Sequence, residues 1–121
     1  MKKNKAMKLV KALRSGEYKQ GKDALVNSDD KFCCLGVACN ISKLPLPWYL
    51  GDYGWNIDGS YTELPDSIQK EYGFYDNIGG RRDTSSLLIG GEYYGSLANA
   101  NDQGVTFDQI ADYIEANYKD L

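Results

Sequence analysis

The chain of 121 residues contains no histidine. That absence removes Ser-His-Asp and Cys-His nucleophile pairs, HExxH zinc sites and imidazole acid-base chemistry near neutral pH. Long hydrophobic runs are missing too: the most apolar stretch, Phe32 to Ile41, is far shorter than the roughly 18 residues of a membrane span. The lysine-rich start is not followed by the apolar segment of a signal peptide, so the sequence predicts a soluble cytoplasmic protein with no membrane partner. Cysteine is scarce and odd in number. Cys33, Cys34 and Cys39 sit in one short stretch, unlike a secreted disulfide framework, and three thiols without histidine cannot close a tetrahedral zinc site alone. With apolar neighbours and no base beside them, they read as packing residues rather than nucleophiles. No motif calls for a metal or cofactor, and the balance leans away from an enzyme.

What is present suits one folded domain. Hydrophobic residues make up 42% and charged residues 26%, with 10 Tyr, 3 Phe and 2 Trp, a globular composition at a length typical of one domain. The net charge of −3 conceals a polarity. Through Lys22 there are eight basic residues against one acid, a net +7, and the rest holds six against sixteen, a net −10. A basic helix balancing an acidic body explains this without a nucleic-acid patch, and the scattered acids make neither a duplex-binding surface nor a DNA mimic.

Along the chain, Met1 to Lys5 reads as a frayed end. Ala6, Leu9, Val10 and Leu13 then form a helical stripe stopped at Gly16. Ala24-Leu25-Val26 suggests a brief strand, and Phe32 to Ile41 a buried central helix capped by Asp29 or Asp30, with Gly36 permitting close approach of a neighbour. Tyr49 to Thr62 looks like turns and short aromatic strands. Leu64-Pro65 opens a helix ending before Gly73, and residues 76–95 form a Gly-rich hairpin or flap. Ser96 to Gln103 is a short helix, and Thr106 with Gln109 a capping box for a C-terminal one. The fold class is α+β: a predominantly helical single domain of four or five helices with a small central antiparallel sheet or hairpin.

Gly79-Gly80-Arg81-Arg82-Asp83-Thr84 is the best anion-binding candidate. Glycines let backbone N–H groups turn toward an anion, guanidinium groups clamp phosphate oxygens, and hydroxyls add donors. Tyr75, Tyr93 and Tyr94 lie near enough in sequence to stack on a base. Lys19 and Lys22 could add charge, and Asn99, Asn101 and Asp102 could read ribose or base edges, although cap and turn chemistry explains those three equally.

Four blocks carry a resemblance: Ala12-Leu-Arg-Ser-Gly-Glu-Tyr-Lys-Gln-Gly21, Phe32-Cys-Cys-Leu-Gly-Val37 with Cys39, Leu64-Pro65, and Leu97 to Glu115. Together they resemble a group of small phage and prophage accessory proteins. The resemblance implies action in an infected bacterium, where such proteins block host defence by binding a protein or sequestering a nucleotide signal. It transfers no catalytic residue. Two functions follow as expectations: a non-catalytic protein that sequesters a small anionic, nucleotide-like ligand at the Gly-Arg loop, in which a homo-oligomer could share the site, or an inhibitor that docks on a host protein through acidic, tyrosine-rich surface. A small hydrolase using carboxylates or Cys34 ranks last.

Overall fold

The structure is a computed structural model that describes all 121 residues. Helix α1 spans Lys3–Arg14, with Ala6, Leu9, Val10 and Leu13 buried on one face. Helix α2 (Cys34–Ile41) is buried from Cys34 through Cys39. Two short strands, β1 (Trp48–Gly51) and β2 (Gly54–Ile57), follow, then helix α3 (Asp66–Tyr72). A second strand pair, β3 (Leu87–Ile89) and β4 (Glu92–Tyr94), leads into α4 (Leu97–Asp102) and α5 (Phe107–Asn117), with a 3-10 turn at Tyr118–Asp120. Each strand pair is a separate antiparallel hairpin rather than part of one central sheet. This is an α+β fold. Its single core is built where α1 packs against α5 and α2, with α4 bridging α2 and α5.

Three local expectations are corrected. Met1 is buried rather than frayed, and its ammonium donates to the carbonyls of Tyr118 and Leu121. The segment 24–26 forms no strand: Val26 makes only an isolated bridge to Phe32. Leu25 and Val26 are buried against the rest of the core instead. The cap of α2 is Cys33, whose sulfur accepts from the Gly36 N–H, and not Asp29 or Asp30. Asp30 instead accepts from the Trp55 indole N–H at 2.9 Å and ties the loop to β2.

Gly36 is where α2 meets the 25–26 segment. A Cβ there would lie 1.9 Å from the Leu25 carbonyl oxygen, so only glycine fits. A second fixed point is Asn101, buried at the end of α4. Its Oδ1 accepts from Gln20 Nε2 (2.9 Å) and the Cys34 N–H (3.2 Å), and its Nδ2 donates to the Gly21 carbonyl (2.8 Å) and Asp102 Oδ1 (3.3 Å). One saturated side chain thus joins α2, α4 and the loop after α1.

Candidate functional site

The Gly-Arg loop has the chemistry expected of it, but the anions are its own. Asp76 Oδ1 accepts from the backbone N–H groups of Ile78 (3.1 Å) and Gly80 (2.8 Å), filling the turn that glycine opens. Arg81 pairs with Asp83 (3.2 Å) and Asp120 (3.5 Å) and donates to the Tyr113 hydroxyl (3.0 Å). Arg82 donates from its guanidinium to the Gly73 carbonyl (2.6 Å) and from its backbone to the Asp120 carbonyl (2.7 Å). The Arg81 and Ser85 contacts hold the Asp83 carboxyl well below the usual carboxylate range. Thr84, at positive φ, turns its hydroxyl back onto the Asp83 carbonyl. The loop thereby anchors the C-terminal turn to the body.

The other candidates do not converge on these arginines through any hydrogen bond or ion pair. Tyr75 and Tyr93 are 45% and 72% exposed, and the Tyr94 hydroxyl donates to Glu92 (3.2 Å). Tyr93 faces Leu88 across the β3–β4 hairpin. Asn99 accepts from the Gly95 N–H at 3.2 Å, closing a turn before α4. Asn101 belongs to the buried network, and Asp102 accepts from the Asp23 N–H (3.0 Å). Lys19 and Lys22 are exposed.

The thiols are equally occupied by structure. Cys33, Cys34 and Cys39 are free and buried. Burial pushes Cys33 up to about 11 and Cys39 up to about 12, and raises Cys34 well above the ordinary thiol range. A thiol held protonated is a poor nucleophile and a poor ligand. No group of three or more Cys, Asp or Glu is placed to hold a metal ion.

Two further surfaces contain none of these residues. The first is the β1–β2 hairpin. Its register pairs Trp48 with Ile57 and Leu50 with Trp55, and Trp48 meets Trp55 edge-on at 6.2 Å. That contact and the Trp55 bond to Asp30 stiffen a hairpin that two strands alone would leave marginal. Tyr49 (67% exposed) stands on the face opposite the tryptophans, Leu50 (58%) on their face beside Trp55, and Tyr53 (85%) at the turn, with Leu44 and Tyr61 also exposed. From Leu44 to Gln69 the chain has no Lys or Arg, while Asp52, Asp58, Glu63 and Asp66 all lie in that span. An exposed apolar and aromatic hairpin in a stretch of chain whose charges are all of one sign is unusual on a free surface.

The second is a groove between α1 and the end of α2. Lys8, Lys11 and Lys43 border it, Ala12, Tyr18 and Ile41 contribute apolar surface, and Ser15 and Glu17 complete the lining. Its volume is about 370 Å³. Lys5 and Arg14, neighbours on α1, are paired with Glu71 and with Asp112 and Glu115, whereas the three groove lysines have no carboxylate partner.

Fold and surface together define a small α+β domain that carries an aromatic hairpin and a lysine-bordered groove on its exterior. A family model described as a domain of unknown function (DUF8296) matches residues 1–118, and the chain belongs to that family. No curated protein and no solved structure matches it. No helix is long and apolar enough to cross a membrane.

Proposed function

We propose that this protein works by binding rather than catalysis, and that its working face is the β1–β2 hairpin, which docks on the cationic surface of a partner protein. The observation that carries the reading is the coincidence of Tyr49, Leu50 and Tyr53, each more than half exposed, with a run from Leu44 to Gln69 that holds carboxylates and no cation. Tyrosine supplies large contact area at low entropic cost and accepts lysine and arginine side chains on its ring faces. The carboxylates of that stretch would steer a cationic partner and disfavour an acidic one. The buried, protonated thiols support a role without nucleophilic chemistry. The resemblance to phage accessory proteins supports a cytoplasmic setting in an infected bacterium, with a host protein as the partner and its inhibition as the effect.

The experiment is capture from host lysate followed by titration of the purified partner against the parent chain and a Tyr49→Ser, Leu50→Ser, Tyr53→Ser variant. A basic partner whose affinity falls by about a hundredfold in the variant supports the reading, since two to three hot-spot side chains are removed. A partner bound equally by both proteins contradicts it.

A further inference from the structure

The lysine groove offers chemistry of a different kind. Lys8 and Lys11 lie three residues apart on α1 and so share a face, and Lys43 comes from just beyond the end of α2. Between them lie Ala12, Ile41 and the ring of Tyr18. The ring does not swing freely: it packs edge-on against Phe32 at 5.0 Å, and its hydroxyl donates to Asn40 Oδ1 at 2.7 Å. The groove therefore has a fixed apolar floor under mobile cationic walls.

Charge decides what such a groove accepts. The carbonyl ends of α1 and α2 each contribute about half a negative unit, and Glu17 contributes one more. Three ammonium groups exceed that by about one positive charge, enough to favour an anion over a neutral molecule. The volume of about 370 Å³ lies within the range of small-ligand sites, which begin near 300 Å³. We infer that this groove binds a phosphomonoester with a flat apolar body, such as a nucleoside monophosphate, the phosphate held by Lys8, Lys11 and Lys43 and the body laid over Tyr18 and Ile41. Lysine serves as a point-charge phosphate binder, which suits three flexible arms better than a bidentate clamp would. Glu17, at the rim, is placed to accept from a hydroxyl or amine of the body. This site shares no residue with the Gly-Arg loop, and it stands whether or not the hairpin docks a protein.

The test is calorimetric titration of the full chain with AMP, with adenosine as the body without charge and inorganic phosphate as the charge without body. AMP is expected to bind at least about tenfold tighter than either, and Lys8→Gln with Lys43→Gln to weaken AMP by about tenfold or more. The lysines are exposed, so the variant keeps the fold. A Lys31→Gln, Lys119→Gln control, equal in charge change but outside the groove, is expected to leave AMP binding within about twofold, the residue of long-range screening. Absence of AMP binding, phosphate binding as tight as AMP, or an equal loss in the control overturns the assignment.

Discussion

Gly36 admits no side chain, because its would-be Cβ overlaps the backbone carbonyl of Leu25 rather than the tip of a flexible residue. Gly36→Ala is expected to cost about 2 kcal/mol or more in urea unfolding, whereas Gly95→Ala, with open space around it, stays within about 0.5 kcal/mol. Asn101→Ala leaves the Cys34 N–H and the Gly21 carbonyl unpaired in the interior and is expected to cost roughly 2–4 kcal/mol by the same measurement. The thiols set a pH dependence. Their folded values lie above the ordinary thiol range, so the native state retains protons that the unfolded chain releases. Their contribution is full below about pH 8.5 and is lost as pH rises through about 11 to 12. A melting series should therefore show the midpoint falling above pH 9, and native protein at pH 8 should resist alkylation that goes to completion in denaturant.

Among the elements, α5 and the β1–β2 hairpin mark two extremes of what the chain encodes locally. The T-x-x-Q signal at Thr106 and Gln109 is a reciprocal capping box in the structure. Thr106→Ala is expected to lower stability by about 1 kcal/mol, read as a drop in melting temperature. The stripe of α1, the Pro65 start, the stop at Gly73 and the strand-bearing, turn-rich segments were legible because periodicity, proline and glycine act over a few residues, whereas α1 begins at Lys3, inside the end read as frayed, and α2 at Cys34 rather than Phe32. The cap of α2 was not, since a cysteine is an unusual capping residue and two aspartates stood nearby. Nor could the fate of Arg81 and Arg82 be read. Asp83 was visible beside them, but Asp120 and Tyr113 arrive from the far end of the chain. The sequence pattern suggests an anion-binding loop; in the fold, Asp76, Asp83 and Asp120 already contact its donors. The hairpin's tyrosines were visible as aromatic strands, yet their exposure depended on Trp48 and Trp55 taking the inward face. The missing cations from Leu44 to Gln69 were the available signal for the surface.

At the scale of the whole molecule, the net charge divides into a basic α1 and an acidic remainder. Part of the basic end is neutralised internally, through Lys5 with Glu71 and Arg14 with Asp112 and Glu115. Of the lysines left over, Lys8 and Lys11 border the groove with Lys43, while the hairpin lies in a stretch that holds carboxylates and no cation. Docking at the hairpin should weaken as salt is raised from about 50 to about 200 mM, chiefly through the association rate, because exposed carboxylates act on a partner at long range. The most direct measurement of the central claim is the affinity of a purified basic partner for the parent chain and for the Tyr49→Ser, Leu50→Ser, Tyr53→Ser variant. The expected result is a loss of about a hundredfold with an unchanged melting temperature, since these side chains are exposed. Undiminished affinity in a fully folded variant would contradict it.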